Sequence, residues 1–109
     1  MQFSSIYDAY KKKVERKGRT QEELNQVIYW LTGDDEASLS EKFKTNLTVR
    51  EYVEQFPRLQ SDASRIKGKI CGVQIEEIQD EVMKRIRYLD KLVDELAKGW
   101  DLQKIFHRK

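Results

Sequence analysis

The sequence predicts an all-α fold, one domain over residues 1–109 built from about five to six helices. Three observations carry this. Apolar residues recur with a period near 3.6, which lines them along one helical face. Ser or Thr stands three residues before Asp or Glu at Ser5–Asp8, Thr20–Glu23, Ser38–Glu41 and Thr48–Glu51, the spacing of a reciprocal helix cap. Gly18, Gly33 and Gly99 follow periodic stretches, and Pro57 stands where another must stop.

The first helix is predicted over about 5–17, where Phe3, Ile6, Tyr7, Tyr10 and Val14 share one side. A second follows over about 21–32, with Leu24, Val27, Ile28 and Leu31 in its stripe and Trp30 at the edge. Leu39 and Phe43 mark a short third. Val49, Tyr52, Val53 and Phe56 form the face of a fourth, over about 48–56. The longest covers about 81–98, with Val82, Ile86, Leu89, Val93 and Leu96 spaced four, three, four, three. Trp100, Leu102, Ile105 and Phe106 predict a closing turn or short helix.

Residues 61–78 read two ways. As a helix, Ile66, Ile70 and Val73 fall together, and Gly68 with Gly72 leaves a flat face for close packing. As strands, Cys71, Val73 and Ile75 alternate, and each interior glycine would weaken a helix by ~1 kcal/mol. Helix is the favoured reading; an α+β fold with a small hairpin near residues 66–76 is the alternative. The expected core is Ile6, Tyr10, Leu24, Ile28, Leu31, Val53, Phe56, Ile86, Leu89, Val93 and Leu96.

Charged residues make up 37% of the chain and apolar ones 39%, a balance that alone would suit disorder. Four phenylalanines, five tyrosines and two tryptophans, with apolar residues at helical spacing, argue for a folded core instead. Cys71 is the single cysteine, so no intrachain disulfide can form, which fits a reducing compartment. The first residues show neither a basic leader nor an apolar run, and no stretch nears the roughly 18 apolar residues of a spanning helix. A cytoplasmic location, with no membrane partner, is expected.

Net charge is +2, but the charges come in blocks. Lys11 to Arg19 holds six cations against Glu15 alone, and Thr20 to Glu41 holds six acids and no cation. Arg65, Lys67 and Lys69 form a second basic cluster, followed by Glu76, Glu77, Asp80 and Glu81. Nucleic-acid binders usually carry a basic face with a much larger net charge. Opposed blocks suit patches that neutralise one another, or association between copies.

Four segments stand out together: Glu15-Arg-Lys-Gly-Arg-Thr20, Trp30-Leu-Thr-Gly33, Ile66-Lys-Gly-Lys-Ile-Cys-Gly-Val73 and Ile86-Arg-Tyr-Leu-Asp-Lys-Leu-Val-Asp-Glu-Leu-Ala-Lys-Gly99. In this order, over nearly the whole chain, they resemble a bacterial family called domain of unknown function 2200. The resemblance implies a single-domain cytoplasmic protein and no defined activity, so no site residues follow from it. Family members often have proline after the aspartate that opens the long helix, whereas here Glu81 follows Asp80.

Each candidate for chemistry has an ordinary counterpart. A nucleophilic Cys71 would need a base or a cationic setting, and the single histidine, His107, is far away in sequence. A buried core thiol is expected. Asp90 with Asp94, and the acids from Glu76 to Glu81, could hold a cation or divide acid and base roles. Yet Glu81 before Arg85, Lys91 before Glu95 and Asp94 before Lys98 are the ordinary pairs of a solvated helix face, so no metal set and no cofactor are assigned. Arg85 falls inside the apolar arc of the long helix, so it must snorkel, pair with a carboxylate such as Glu81, or face an anion. Pairing is the expected outcome.

The basic segment 11–19 could bind phosphate, with Lys13, Arg16, Lys17 and Arg19 as the contacts, joined by Arg85 as a candidate anion ligand. Its ordinary role is to face the negative end of a helix. The leading functional reading is therefore a small non-enzymatic helical module acting through protein contacts, with another protein or with a second copy. The alternatives are nucleic-acid or phosphorylated-ligand binding through residues 11–19, and an enzyme with an unfamiliar site near Cys71 and Arg85.

Overall fold

A computed structural model describes residues 1–108. The first helix, α1 (Phe3–Glu15), starts ahead of Ser5 because backbone pairing replaces a side-chain cap. The amide of Phe3 donates to the Leu47 carbonyl at 2.9 Å, and Gln2 forms a bridge with Thr48. The boxes of Thr20 with Glu23 and of Thr48 with Glu51 open α2 (Gln21–Thr32) and α4 (Val49–Glu54) as their spacing predicts. Between them, α3 (Glu36–Phe43) is capped one turn earlier than expected. Asp35 is the cap, and Ser38 fills the third position, where its hydroxyl accepts from the Asp35 amide at 2.9 Å.

The favoured helix over 61–78 is not formed. A 3₁₀ turn at Ser61–Arg65 leads into an antiparallel hairpin, β1 (Lys69–Ile70) and β2 (Val73–Gln74), and a second 3₁₀ turn follows at Ile75–Glu77. Ile70 pairs with Val73, leaving Cys71 and Gly72 as a two-residue turn with φ of 53° and 76°. Positive φ at both positions matches the twist of a tight hairpin and excludes a right-handed helix. Cys71 is consequently exposed at the hairpin tip, which corrects the expectation of a core thiol.

The long helix α5 (Glu81–Ala97) begins directly at Glu81, with the Asp80 carboxylate accepting from the Val82 amide at 3.3 Å. A short helix, α6 (Leu102–Phe106), closes the described chain. Leu89, Leu92, Val93 and Leu96 of α5 are buried against Leu24, Val27, Ile28 and Leu31 of α2, Tyr52 and Val53 of α4, and Val14 of α1. The hairpin segment adds Ile66, Ile70 and Ile75 to the same core. Of the expected core, Ile6, Phe56 and Ile86 are only half-buried at its edge. Contacts of Tyr10 with Asp90, Lys13 with Asp94 and Arg19 with Leu96 climb both helices together, so α1 and α5 run parallel. Among the described residues no helix is long and apolar enough to cross a membrane.

Two outcomes follow from this packing. Leu89→Ala, at a site 1% exposed, should lower unfolding free energy in a denaturant titration by ~2–5 kcal/mol, through lost burial plus a cavity. Cys71 should react with a thiol reagent in the native protein at a rate within a few-fold of that in denaturant; strong native protection would contradict its place at the turn.

Candidate functional site

The site begins where α1 and α5 end. Each ends in a Schellman turn closed by a left-handed glycine: the Arg19 amide reaches the Val14 carbonyl at 3.0 Å, and the Trp100 amide reaches that of Glu95 at 3.1 Å. Gly99, at φ 100°, is what allows the chain to turn back at Trp100. Because the helices are parallel, both negative dipole ends lie together, and a guanidinium from the end of α1 answers that of α5. Arg19 donates through Nη1 to the carbonyls of Leu96 at 3.0 Å and Trp100 at 2.8 Å, while Nη2 pairs with Glu23 at 2.7 Å. The hydrogen bonds from Arg19 in turn hold the Glu23 carboxyl below its ordinary pKa.

Beside this junction lies a cleft of about 610 Å³. Arg65 and Lys67 reach it from the chain between the 3₁₀ turn and the hairpin, Lys91 and Glu95 from α5, and Lys104 from α6. Trp100, His107 and Arg108 complete the wall. Five cations thus face one carboxylate, and that carboxylate is already satisfied. Glu95, 3% exposed, accepts both terminal nitrogens of Arg108, whose Nε donates to the Ile105 carbonyl at 3.2 Å. Lys91 reaches the Lys69 carbonyl at 3.4 Å, and Arg65 lies 3.8 Å from Asp62. Among the described residues Lys67 and Lys104 pair with no acid. Instead, the Lys104 ammonium sits over the Trp100 ring, 4.4 Å from its centroid, and the Arg108 guanidinium lies 5.6 Å from the same centroid.

The structure places the sequence candidates as follows. Lys13 donates to Asp94 at 3.2 Å, where Lys98 also pairs at 2.9 Å. Burial works to raise the Asp94 pKa, but the hydrogen bonds with Lys98 and Lys13 outweigh it and leave it lowered. Arg16 and Lys17 are exposed and have no ion pair among the described residues. Arg85 lies nine residues before Asp94 on α5, about 13 Å along the axis at 1.5 Å per residue, and so does not join them. Its Nε donates to Glu81 at 3.2 Å, its Nη1 to the Val53 carbonyl at 2.8 Å, and its guanidinium lies over Phe56. Tyr10 donates to Asp90 at 2.5 Å, and Arg87 to the same carboxylate at 2.9 Å. Among the described residues no three His, Cys, Asp or Glu side chains gather closely enough to hold a metal ion.

Fold and cleft together define a small, mainly helical domain with a cationic pocket where its two parallel helices end. The chain belongs to the family of uncharacterized proteins conserved in bacteria known as domain of unknown function 2200, whose model matches residues 1–107. It is similar to the crystal structure of an uncharacterized protein, SP1917, at 44% identity and a TM-score of 0.91, covering 96% of this chain and 86% of that one. Comparison with the curated proteins gives no match.

Removing Arg108 tests how the cleft wall is held. Arg108→Met leaves the buried Glu95 without its counter-charge and should cost ~3–5 kcal/mol in thermal or denaturant unfolding. The double variant Arg108→Met with Glu95→Leu should recover most of that loss.

Proposed function

We propose that this protein is a non-catalytic binding module whose ligand is a phosphorylated small molecule held in the cleft of Lys67, Lys91, Lys104 and Trp100. The observation that carries this reading is the imbalance of charge in that one concave space. Arg108 neutralises Glu95, so Arg65, Lys67, Lys91 and Lys104 remain without an acid inside the cleft. Like charges drawn together repel one another, and an anion relieves that repulsion. The volume suits a compact ligand, since small-molecule sites run to roughly 300–1,000 Å³. A long polyanion is favoured less, because the whole chain carries a net charge of only +2.

The basic segment takes part in this reading unequally. Arg19 acts as a positioning residue that fixes the backbone of Trp100, while Arg16 and Lys17 stay exposed at the end of α1, outside the cleft lining. Arg85 serves the contact between α4 and α5. The exposed thiol of Cys71 supports a cytoplasmic location, where such a thiol stays reduced.

The test uses sodium tripolyphosphate as the probe, with binding read by calorimetry and by thermal shift. Binding should weaken steeply with added salt. Lys67→Gln with Lys104→Gln should reduce affinity roughly tenfold or more, at ~1 kcal/mol for each lost contact. Arg16→Gln with Lys17→Gln should change it much less. No stabilisation by millimolar tripolyphosphate, or equal losses in the two double variants, would remove the cleft from consideration.

A further inference from the structure

We infer that the ligand of this cleft is a free nucleotide, whose base stacks on Trp100 while its phosphates meet the surrounding ammonium groups. This rests on the anion-binding reading above and adds the ligand's second half. An anion site needs no tryptophan, yet the cleft places one at its wall and holds its backbone from three directions. The Trp100 amide donates to Glu95 across the Gly99 turn, its carbonyl accepts from Arg19, and Gly99 itself sets the direction of the chain. With its backbone so held and its side chain half-buried against the core, the ring has little freedom to lose on binding, which favours it as a stacking platform.

The ring is at present overlaid by Lys104, and magnitudes decide whether a base can take that place. An exposed ammonium over an indole contributes about a two- to fivefold preference. A base stacked on an aromatic side chain contributes about five- to 150-fold. Lys104 is exposed and has no acid to hold it among the described residues, so a base displaces it at small cost. The displaced ammonium stays tethered beside the ring, where a phosphate would carry the opposite charge. Arg108 cannot move in the same way, because Glu95 and the Ile105 carbonyl fix it. The cleft therefore combines one fixed cation, one mobile cation and an oriented aromatic face. A cleft of about 610 Å³ holds a single nucleotide rather than guiding a strand.

The experiment compares adenosine triphosphate with tripolyphosphate, which share the phosphate chain and differ in the nucleoside. A Trp30→Phe background leaves Trp100 as the one tryptophan reporter. The nucleotide should bind at least fivefold tighter and quench Trp100 fluorescence, whereas tripolyphosphate should bind with little quenching. Trp100→Leu should bring the nucleotide down to the affinity of tripolyphosphate without altering the latter. Should Trp100→Leu lose its fold by circular dichroism, Trp100→Phe keeps an aromatic face and should retain most of the difference. Equal affinities with no quenching would overturn the nucleotide assignment and leave the anion site standing. Failure of both ligands to bind would overturn both readings. An oligonucleotide binding more tightly than the mononucleotide would overturn the choice of a free nucleotide.

Discussion

The two parallel helices α1 and α5 create an electrostatic problem at one end of the molecule, and Arg19 is the answer to it. Antiparallel neighbours offset one another's dipoles; parallel ones bring two sets of terminal carbonyls together. The Schellman turns at Gly18 and Gly99 satisfy part of each set within its own helix. Two carbonyls of α5 and the turn beyond it, those of Leu96 and Trp100, are then met by a guanidinium delivered from the end of α1. Glu23, an acid of the α2 capping box, holds that guanidinium in place. One side chain thus couples the end of α1, the start of α2 and the end of α5, and the direction of the chain into α6 follows from it.

Two buried carboxylates fix the remaining geometry by different means. Asp34, at the α2–α3 junction, accepts from the Tyr52 hydroxyl, Ser38 and Lys42, each at 2.8 Å, and from Thr32 at 3.2 Å. Its donors come from α2, α3 and α4, so the angles between these helices are set by one anion. Burial, then the neighbouring Asp34 charge, pushes the Tyr52 hydroxyl far above its ordinary pKa, which keeps it a donor at any ordinary pH. Glu95 relies on Arg108 instead, and through it ties the segment after α6 back onto α5. Such buried groups stabilise little relative to apolar packing. Their contribution here is to allow one arrangement of the helices and to shape the wall of the cleft.

Local chemistry made most of the fold legible. Thr20, Thr48 and Gly99 act within four residues of themselves, and their spacing was enough to bound α2, α4 and the end of α5. Errors arose where two local readings competed. At α3 the Ser38–Glu41 spacing misled: Asp35 is the cap, and Ser38 returns the bond as the third residue. In the segment of Cys71 the glycines suited close helix packing as well as a turn, and only positive φ at successive residues distinguishes them. Turn conformation leaves a weak trace when cysteine, rather than asparagine, occupies the first position. The cleft was less legible still. Arg65 and Lys67 stand out as a basic cluster, but Lys91 joins them only through the packing of the hairpin on α5, and Lys104 and Arg108 only through the return of α6 onto α5. Arg85 was readable because its partner, Glu81, is one turn away.

Helix ends alone could account for cations in this region, so the cleft must be weighed against that simpler cause. Dipole ends attract positive charge within about one turn. Arg19 meets terminal carbonyls directly, and Lys98 pairs with Asp94 in the last turn of α5, so both belong to that account. Arg65 and Lys67 belong to neither helix end, since they arrive from the segment before β1. Lys104 rests on the face of Trp100 and touches no terminal carbonyl among the described residues. Folding therefore satisfies the first group of cations and gathers the second around a cleft that offers no free acid, Arg65 reaching only Asp62 outside it at 3.8 Å. The excess is a property of the surface rather than of helix termination, and it lies beside a tryptophan whose backbone is held by Arg19 and by the turn at Gly99.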